Sequence, residues 1–278
     1  MGESDRYPTV PLKVIQGKKA LVTGAASGIG RSISLALARE GADLFLLDID
    51  EEKLASVGEE VRTLGVGVIS RPCDVAIAEQ ILEAVNTLQD MWGEVDILVN
   101  NAGILYYGRT EEMSEEQWDR LLAVNLYAPI RFVHLLLPLL RQRPEAHILN
   151  VCSLAGLVPK RRLAAYQTSK FGLVGLSQSL RLEYSPKGVG VTALCPGLVD
   201  TDLIDAGIER KWVTSKPRTP SFLSVSPDRI AARAVQAIRK NQGLVVVPAY
   251  ARLLWLFVRL FPRFVDSLQH FKRRKQNR

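Results

Sequence analysis

The chain has 278 residues, 47% hydrophobic and 23% charged, a length and composition that suit one large α/β domain; no internal repeat or low-complexity tract is visible. Its net charge of +7 is not spread evenly: residues 251–278 hold eight Lys and Arg against Asp266 alone, leaving residues 1–250 with 28 basic and 28 acidic side chains. Cys73, Cys152 and Cys195 are odd in number and no secretory signal peptide opens the chain, so reduced thiols in a cytoplasmic protein are expected, and the absence of a Cys-x2-Cys pair or Cys/His cluster argues against a metal site.

Residues 1–16 read as an N-terminal extension, 17–248 as the folded domain and 249–278 as a separate basic tail. Residues 18–24, Lys-Lys-Ala-Leu-Val-Thr-Gly, predict a strand, and a helical pattern follows over 31–40. Between them lies Ala25-Ala26-Ser27-Gly28-Ile29-Gly30. Glycines between a strand and a helix allow a tight turn and close backbone approach to a pyrophosphate, and a helix N-terminus supplies free N–H donors. The spacing from Gly24 is Gly-x3-Gly-x-Gly, a variant of the generic dinucleotide fingerprint. A second apolar run, 44–47, ends at Asp48. An acid there can bond the adenosine ribose hydroxyls and repel a 2′-phosphate, and no arginine stands at 25–27 or 49 to receive one. NAD is therefore expected over NADP, with Asp50 a competing candidate for the ribose.

Further strands are predicted at 66–71, 95–99, 146–151, 189–194 and 244–247, with helices over 76–92, from about 114 through Asn125, and to about 184. Strands alternating with helices imply one parallel sheet covered on both faces, whose ligands bind at the carboxyl ends of the strands. Gly24, Asp48, Asp74, Asn100, Ser153 and Pro196 all fall at or near such ends. Tyr166 and Lys170 stand four apart in Ala-Ala-Tyr-Gln-Thr-Ser-Lys, thirteen residues beyond Ser153. On a helix they share a face, which brings an ammonium near a phenol. Tyrosine titrates near ~10, and a fixed positive neighbour lowers that value toward a group able to exchange a proton with an alcohol or carbonyl. Ser153 is a second candidate donor to the same oxygen.

In order and interval, Thr23-Gly24-x3-Gly28-Ile29-Gly30, Asn100-Asn101-Ala102-Gly103, Asn125, Ser153, Tyr166-x3-Lys170 and Pro196-Gly197 resemble the short-chain dehydrogenase/reductase family over about residues 17–247. The resemblance implies a Rossmann-like, doubly wound, parallel seven-stranded sheet in a single domain, and an NAD(P)-dependent oxidoreductase interconverting an alcohol and its carbonyl. Tyr166 would be the general acid/base, Lys170 its pKa-lowering partner and a nicotinamide-ribose ligand, and Ser153 the holder of the substrate oxygen. Asn125 would keep a helix distorted for a water-borne proton relay. The cofactor would be held by Gly24, Ser27, Gly28, Ile29, Gly30 and Asp48, by Asp74 and Val75 at the adenine, by Asn101, Ala102 and Gly103 along the wall, by Pro196 and Gly197, and by Thr201 at the carboxamide. Cys152 departs from the second serine many relatives carry there. A homodimer or homotetramer is expected. Alternatives remain: an NADPH-dependent 3-oxoacyl reductase, or a nucleotide-binding scaffold without turnover, which the intact set of Asn125, Ser153, Tyr166 and Lys170 argues against.

His134, His147 and His270 read as helix, strand-start and tail residues. Residues 202–226 resemble the family's substrate lid. Trp212 within it, with Leu105 and Leu157 beside the predicted site, suggests an apolar alcohol or ketone such as a steroid, retinoid or long-chain compound, although an apolar lid could simply exclude water. In the tail Arg252, Arg259, Arg263, Asp266 and His270 make one polar stripe on a helix otherwise filled by leucines and aromatics, with Pro262 as a kink. Too many arginines interrupt it for a membrane span; an amphipathic helix at an anionic lipid surface fits better, and packing on a second subunit is the alternative. Aromatic residues beside basic ones are not by themselves a base-stacking surface, so no nucleic-acid partner is expected.

Overall fold

A computed structural model of the chain describes residues 12–199 and 224–263. The start of the extension, nearly all of the expected lid and the tail from 264 lie outside the described residues. In chain order the elements are β1 (Lys19–Thr23), α1 (Gly28–Arg39), β2 (Asp43–Asp48), α2 (Glu51–Arg62), β3 (Val68–Pro72), α3 (Ala78–Trp92), β4 (Ile97–Asn100), α4 (Glu115–Leu122) and α5 (Ala128–Leu140). There follow β5 (Ala146–Val151), α6 (Ala164–Tyr184), β6 (Val189–Pro196), α7 (Pro227–Arg239), β7 (Leu244–Val247) and α8 (Ala249–Leu260).

All seven strands are parallel, in the order β3-β2-β1-β4-β5-β6-β7. The chain runs outward from β1 to β3 and then returns to place β4 on the other side of β1, so the order reverses between β1 and β4, where a crevice opens. Alternation of Cβ directions feeds two cores. Ala20, Val22, Leu44 and Leu46 face α1, α2 and α7 with Ile33, Leu54 and Ile230; Leu21, Phe45 and Leu47 face α3, α5 and α6 with Ile81, Phe132 and Leu180. Helices on both faces make the strands continuously apolar, which is why the runs read clearly in the sequence.

Local chemistry sets the helix starts. α1 begins three residues earlier than its apolar period predicts, because Ser27 is extended at φ −152° and serves as the N-cap residue. Asp50 caps α2, its carboxylate accepting from Lys53 N at 3.1 Å and Lys53 Nζ at 2.6 Å. Ser114 and Gln117 form a reciprocal capping box at α4. The predicted helix through Asn125 is not regular: a π-turn, Ala123–Tyr127, joins α4 to α5. Residues 115–140 are long and apolar enough to cross a bilayer, but Leu121, Phe132 and Leu136 bury against the sheet as a core helix does.

The amino end of the sheet is tied by Asp96, 1% exposed, which accepts from Lys19 N at 2.9 Å and Arg143 Nε at 2.7 Å. His147 lies inside β5 with Nε2 2.8 Å from Thr192 Oγ1, and burial pushes its pKa down to about 3, so the ring is neutral near pH 7. Cys73, Cys152 and Cys195 are free and buried. Among the described residues no group of three or more His, Cys, Asp or Glu could hold a metal.

Candidate active site

The glycine loop closes over the carboxyl end of β1. Gly24 has φ +65° and Gly28 φ +51°, values L side chains rarely adopt. A Cβ on Gly24 would sit 2.8 Å from Ala102 Cα, so the end of β4 presses directly on the loop. Asn101 staples the two: its Nδ2 donates to the carbonyls of Thr23 at 3.0 Å and Gly24 at 2.9 Å. Thr23 Oγ1 in turn accepts from the backbone N–H groups of Asn101 at 3.0 Å and Ala102 at 3.1 Å. The loop suits a phosphate-bearing group. Ser27 makes no capping bond with its side chain and the first turn of α1 holds no acid, so that turn presents N–H donors and a favourable dipole.

Asp48 ends β2 beside this loop. One carboxylate oxygen accepts from Ala26 N at 2.9 Å and the other from Asp50 N at 3.0 Å, so the acid is locked in place facing the turn. Asp50, the competing candidate, serves as the cap of α2, and the bonds from Lys53 hold its pKa low. Asp74 is committed as well, to Arg120 at 2.8 Å and Ala76 N at 3.0 Å. The side chain of Val75 is buried.

Tyr166 and Lys170 lie on the buried face of α6, 8% and 4% exposed. Lys170 Nζ stands 5.7 Å from the phenol ring centroid but donates to Val151 O at 3.0 Å. Burial pushes Tyr166 up to about 12, and the contact pulling the other way is the Ser153 hydroxyl. Burial also draws Lys170 below its ordinary value, and Cys195, whose thiol is hydrogen-bonded to the Cys152 side chain, sits well above its own. Ser153 is half-buried, its Oγ accepting from Ala155 N at 3.1 Å.

Asn125 occupies the π-turn and is fully buried. It accepts from Ile104 N at 2.8 Å and donates to Ile104 O at 2.9 Å and Ser169 Oγ at 3.1 Å. Ser169 passes the chain on to Tyr166 O at 2.7 Å. A Cβ on Gly103 would lie 3.4 Å from Asn125 Oδ1 and 3.5 Å from Lys170 Nζ, so the β4 loop, the π-turn and α6 meet at this glycine. Gly197 N donates to Val247 O at 2.6 Å, bringing Pro196 and Gly197 to the same carboxyl edge.

Leu105 and Leu157 are half-buried but pack against different cores, Leu105 on the one containing Tyr166 and Leu157 on the one containing Cys152. Thr201 and Trp212 lie outside the described residues. Sequence reasoning assigned no role to Thr23, Ser169 or Arg120. Ser169 had a signal, since it stands three after Tyr166 on the same helical face; Arg120 had none.

The profile of the short chain dehydrogenase family matches residues 18–211. The protein named "Probable oxidoreductase EphD" of Mycobacterium tuberculosis is 34% identical over 257 residues, 88% of this chain, which spans only 43% of that longer protein. D-beta-hydroxybutyrate dehydrogenase of Cupriavidus necator is 34% identical over 255 residues, 84% of this chain and 96% of the relative. Among solved structures, a short-chain dehydrogenase/reductase from Burkholderia phymatum in complex with NAD superposes with a TM-score of 0.81 at 26% identity, over 90% of this chain and 96% of that one. A variant of the actinorhodin polyketide ketoreductase with NADPH gives 0.75 at 31%, over 83% and 95%. The profile match, the curated relatives and the parallel seven-stranded fold together establish that the chain belongs to the short-chain dehydrogenase family.

Proposed function

We propose that the protein is an NAD-dependent oxidoreductase that interconverts an apolar primary or secondary alcohol and its carbonyl, with Tyr166 as general acid/base. The observation that carries this reading is the meeting of the Tyr166 phenol and the Ser153 hydroxyl at the carboxyl edge of the sheet, next to Lys170, Asn125 and Gly103. When bound, the nicotinamide supplies hydride chemistry and the protein supplies position and proton. At neutral pH the Tyr166 phenol keeps its proton, so it is set to donate to a carbonyl oxygen while the Ser153 hydroxyl steadies that oxygen. In the reverse direction Tyr166 Oη takes the hydroxyl proton of the alcohol. Asn125, by holding Ile104 and Ser169, keeps the π-turn and α6 in fixed relation, and Lys170 lies behind the phenol.

Support for NAD comes from Asp48, locked beside the loop where a 2′-phosphate would meet its charge. The solved relatives named above carry NAD in one case and NADPH in the other, so the likeness favours neither and the NAD reading rests on the acid. Support for an apolar substrate comes from Leu105 and Leu157 and the apolar content of 202–226. A second reading, NADPH-dependent reduction of a 3-oxoacyl chain, draws on the likeness to the polyketide ketoreductase. Steady-state assays with NAD(H) and NADP(H) over a panel of lipophilic alcohols and ketones, short hydroxy acids and 3-oxoacyl thioesters separate these. Tyr166→Phe should lower turnover by about 10²–10⁴-fold while cofactor still binds. Near-normal turnover in that variant would remove Tyr166 from the mechanism, and equal activity on polar and lipophilic substrates would remove the substrate class.

A further inference from the structure

Three cations in a row, Lys160, Arg161 and Arg162, stand in the segment that joins Ser153 to Tyr166. That segment is fixed on α6. Gln167 Nε2 donates to Ala155 O at 3.3 Å and Val158 O at 2.9 Å, and Gln167 N donates to Leu163 O at 2.8 Å. Gly108 N donates to Arg162 O at 3.1 Å, which ties the segment to the stretch after β4 that holds Leu105. Tyr166 is the third residue of α6, and Arg162 precedes it by four. The cations therefore make a rim at the end of α6 that carries the phenol. All three are exposed, and among the described residues none has an ion-pair partner. The cation on the neighbouring stretch is balanced, since Arg109 stands 3.4 Å from Glu111 and 4.0 Å from Glu112.

Local stability does not account for the row. Cations are disfavoured at a helix N-terminus, yet these precede α6, whose first turn holds no acid. Arg162 also has φ +64°, one of two non-glycine residues at positive φ among the described residues. Glycine takes that conformation without strain, and strain of this kind collects at ligand sites. We propose that Lys160, Arg161 and Arg162 select an apolar substrate that also carries an acidic group, a carboxylate or a phosphate, with Arg162 as the main contact; the assignment rests on Tyr166 and Ser153 holding the substrate oxygen. A guanidinium matches either acid with two parallel N–H bonds. Leu157, half-buried and three residues before Lys160, gives the apolar part of the substrate a surface next to the rim.

The test is calorimetric titration of the full chain, with NAD in excess to fill the glycine loop, by a medium-chain fatty acid, by the alkyl phosphate of the same chain and by the primary amide of that acid. The expected result is that at least one of the two anions binds about tenfold or more tighter than the amide, a preference that shrinks as salt rises. The tighter of the two identifies the acidic group. Lys160→Gln, Arg161→Gln and Arg162→Gln together should bring the anions to the affinity of the amide without lowering the melting temperature, since cations in that place do not stabilise α6. Arg162→Gly should likewise not lower it, because glycine takes φ +64° freely, yet should lose most of the preference; a residue with only a structural role would leave selectivity unchanged. No anion binding, equal affinity for amide and anions, or a triple variant that keeps the preference would overturn the proposal. Binding is read without turnover, so an inactive enzyme counts against Tyr166 as general acid/base, whereas an active one without anion preference counts against the rim alone.

Discussion

Helix propensity and packing make opposite predictions at Gly30, and the geometry decides between them. Gly30 is in the first turn of α1, where alanine ordinarily gains about 0.8–1 kcal/mol over glycine. An added Cβ, however, would lie 2.8 Å from the Gly24 carbonyl carbon and closer still to its oxygen and to Asn101 Nδ2, against 3.4–4 Å for ordinary contact. These are backbone and stapled atoms, so relief means moving the β1–α1 loop. Overpacking of this kind costs about 1–3 kcal/mol, which after the propensity gain leaves Gly30→Ala destabilised by up to about 2 kcal/mol. Gly175 in α6 is the control: it is exposed and nothing lies within 4 Å of its Cβ position. Gly175→Ala should gain up to about 1 kcal/mol. The propensity gain is common to both variants, so they differ by the overpacking cost of about 1–3 kcal/mol, which for a chain of this size separates the two melting temperatures by roughly 2–12 °C. Displacing the loop should also weaken NAD binding by about tenfold or more, since the phosphate donors belong to the same turn. Thermal unfolding and calorimetric titration with NAD read the two effects. If Gly30→Ala melts with Gly175→Ala and binds NAD as the parent does, the loop is not packed as described.

Asp48→Ala should raise the NADP:NAD ratio of kcat/KM by about tenfold or more, as removal of a charge facing the 2′-position requires; an unchanged ratio would assign cofactor choice elsewhere. His147 makes stability acid-sensitive. Its pKa is about 3 when folded and ~6.5 when unfolded, so between those values the unfolded chain binds a proton that the folded chain does not. Stability is complete above pH ~6.5 and falls by up to about 1.4 kcal/mol per pH unit as pH drops toward 3. His147→Gln, which can still bond Thr192, should lack this share of the slope in urea titrations between pH 4 and 7; an identical slope would mean His147 does not cause it.

What the sequence carried clearly was local. Tyr166 and Lys170 share a face because helix geometry alone puts residues i and i+4 one turn apart. The strands were legible because coverage on both faces makes them apolar throughout. The glycines at 24 and 28 were legible because their φ values exclude other residues. What could not be read lies across the chain. The π-turn exists because Asn125 bonds Ile104, 21 residues away, and Ser169, 44 away, and no periodicity announces such a bond. Lys170 finds its carbonyl partner at Val151, 19 residues back, rather than at the phenol four residues before it.

That difference carries a chemical consequence. Spacing alone said that an ammonium lies near a phenol and should acidify it. The fold adds burial, which acts on both groups at once and disfavours each charge. It drives Tyr166 up and Lys170 down. The ammonium donates to a neutral carbonyl, Val151 O, at 3.0 Å. The proton-donating form of Tyr166 is then the stable one at neutral pH. The contact that lowers the phenol's pKa is the Ser153 hydroxyl. A residue pair read from spacing identifies which groups can exchange a proton; their shared burial sets which of them holds it.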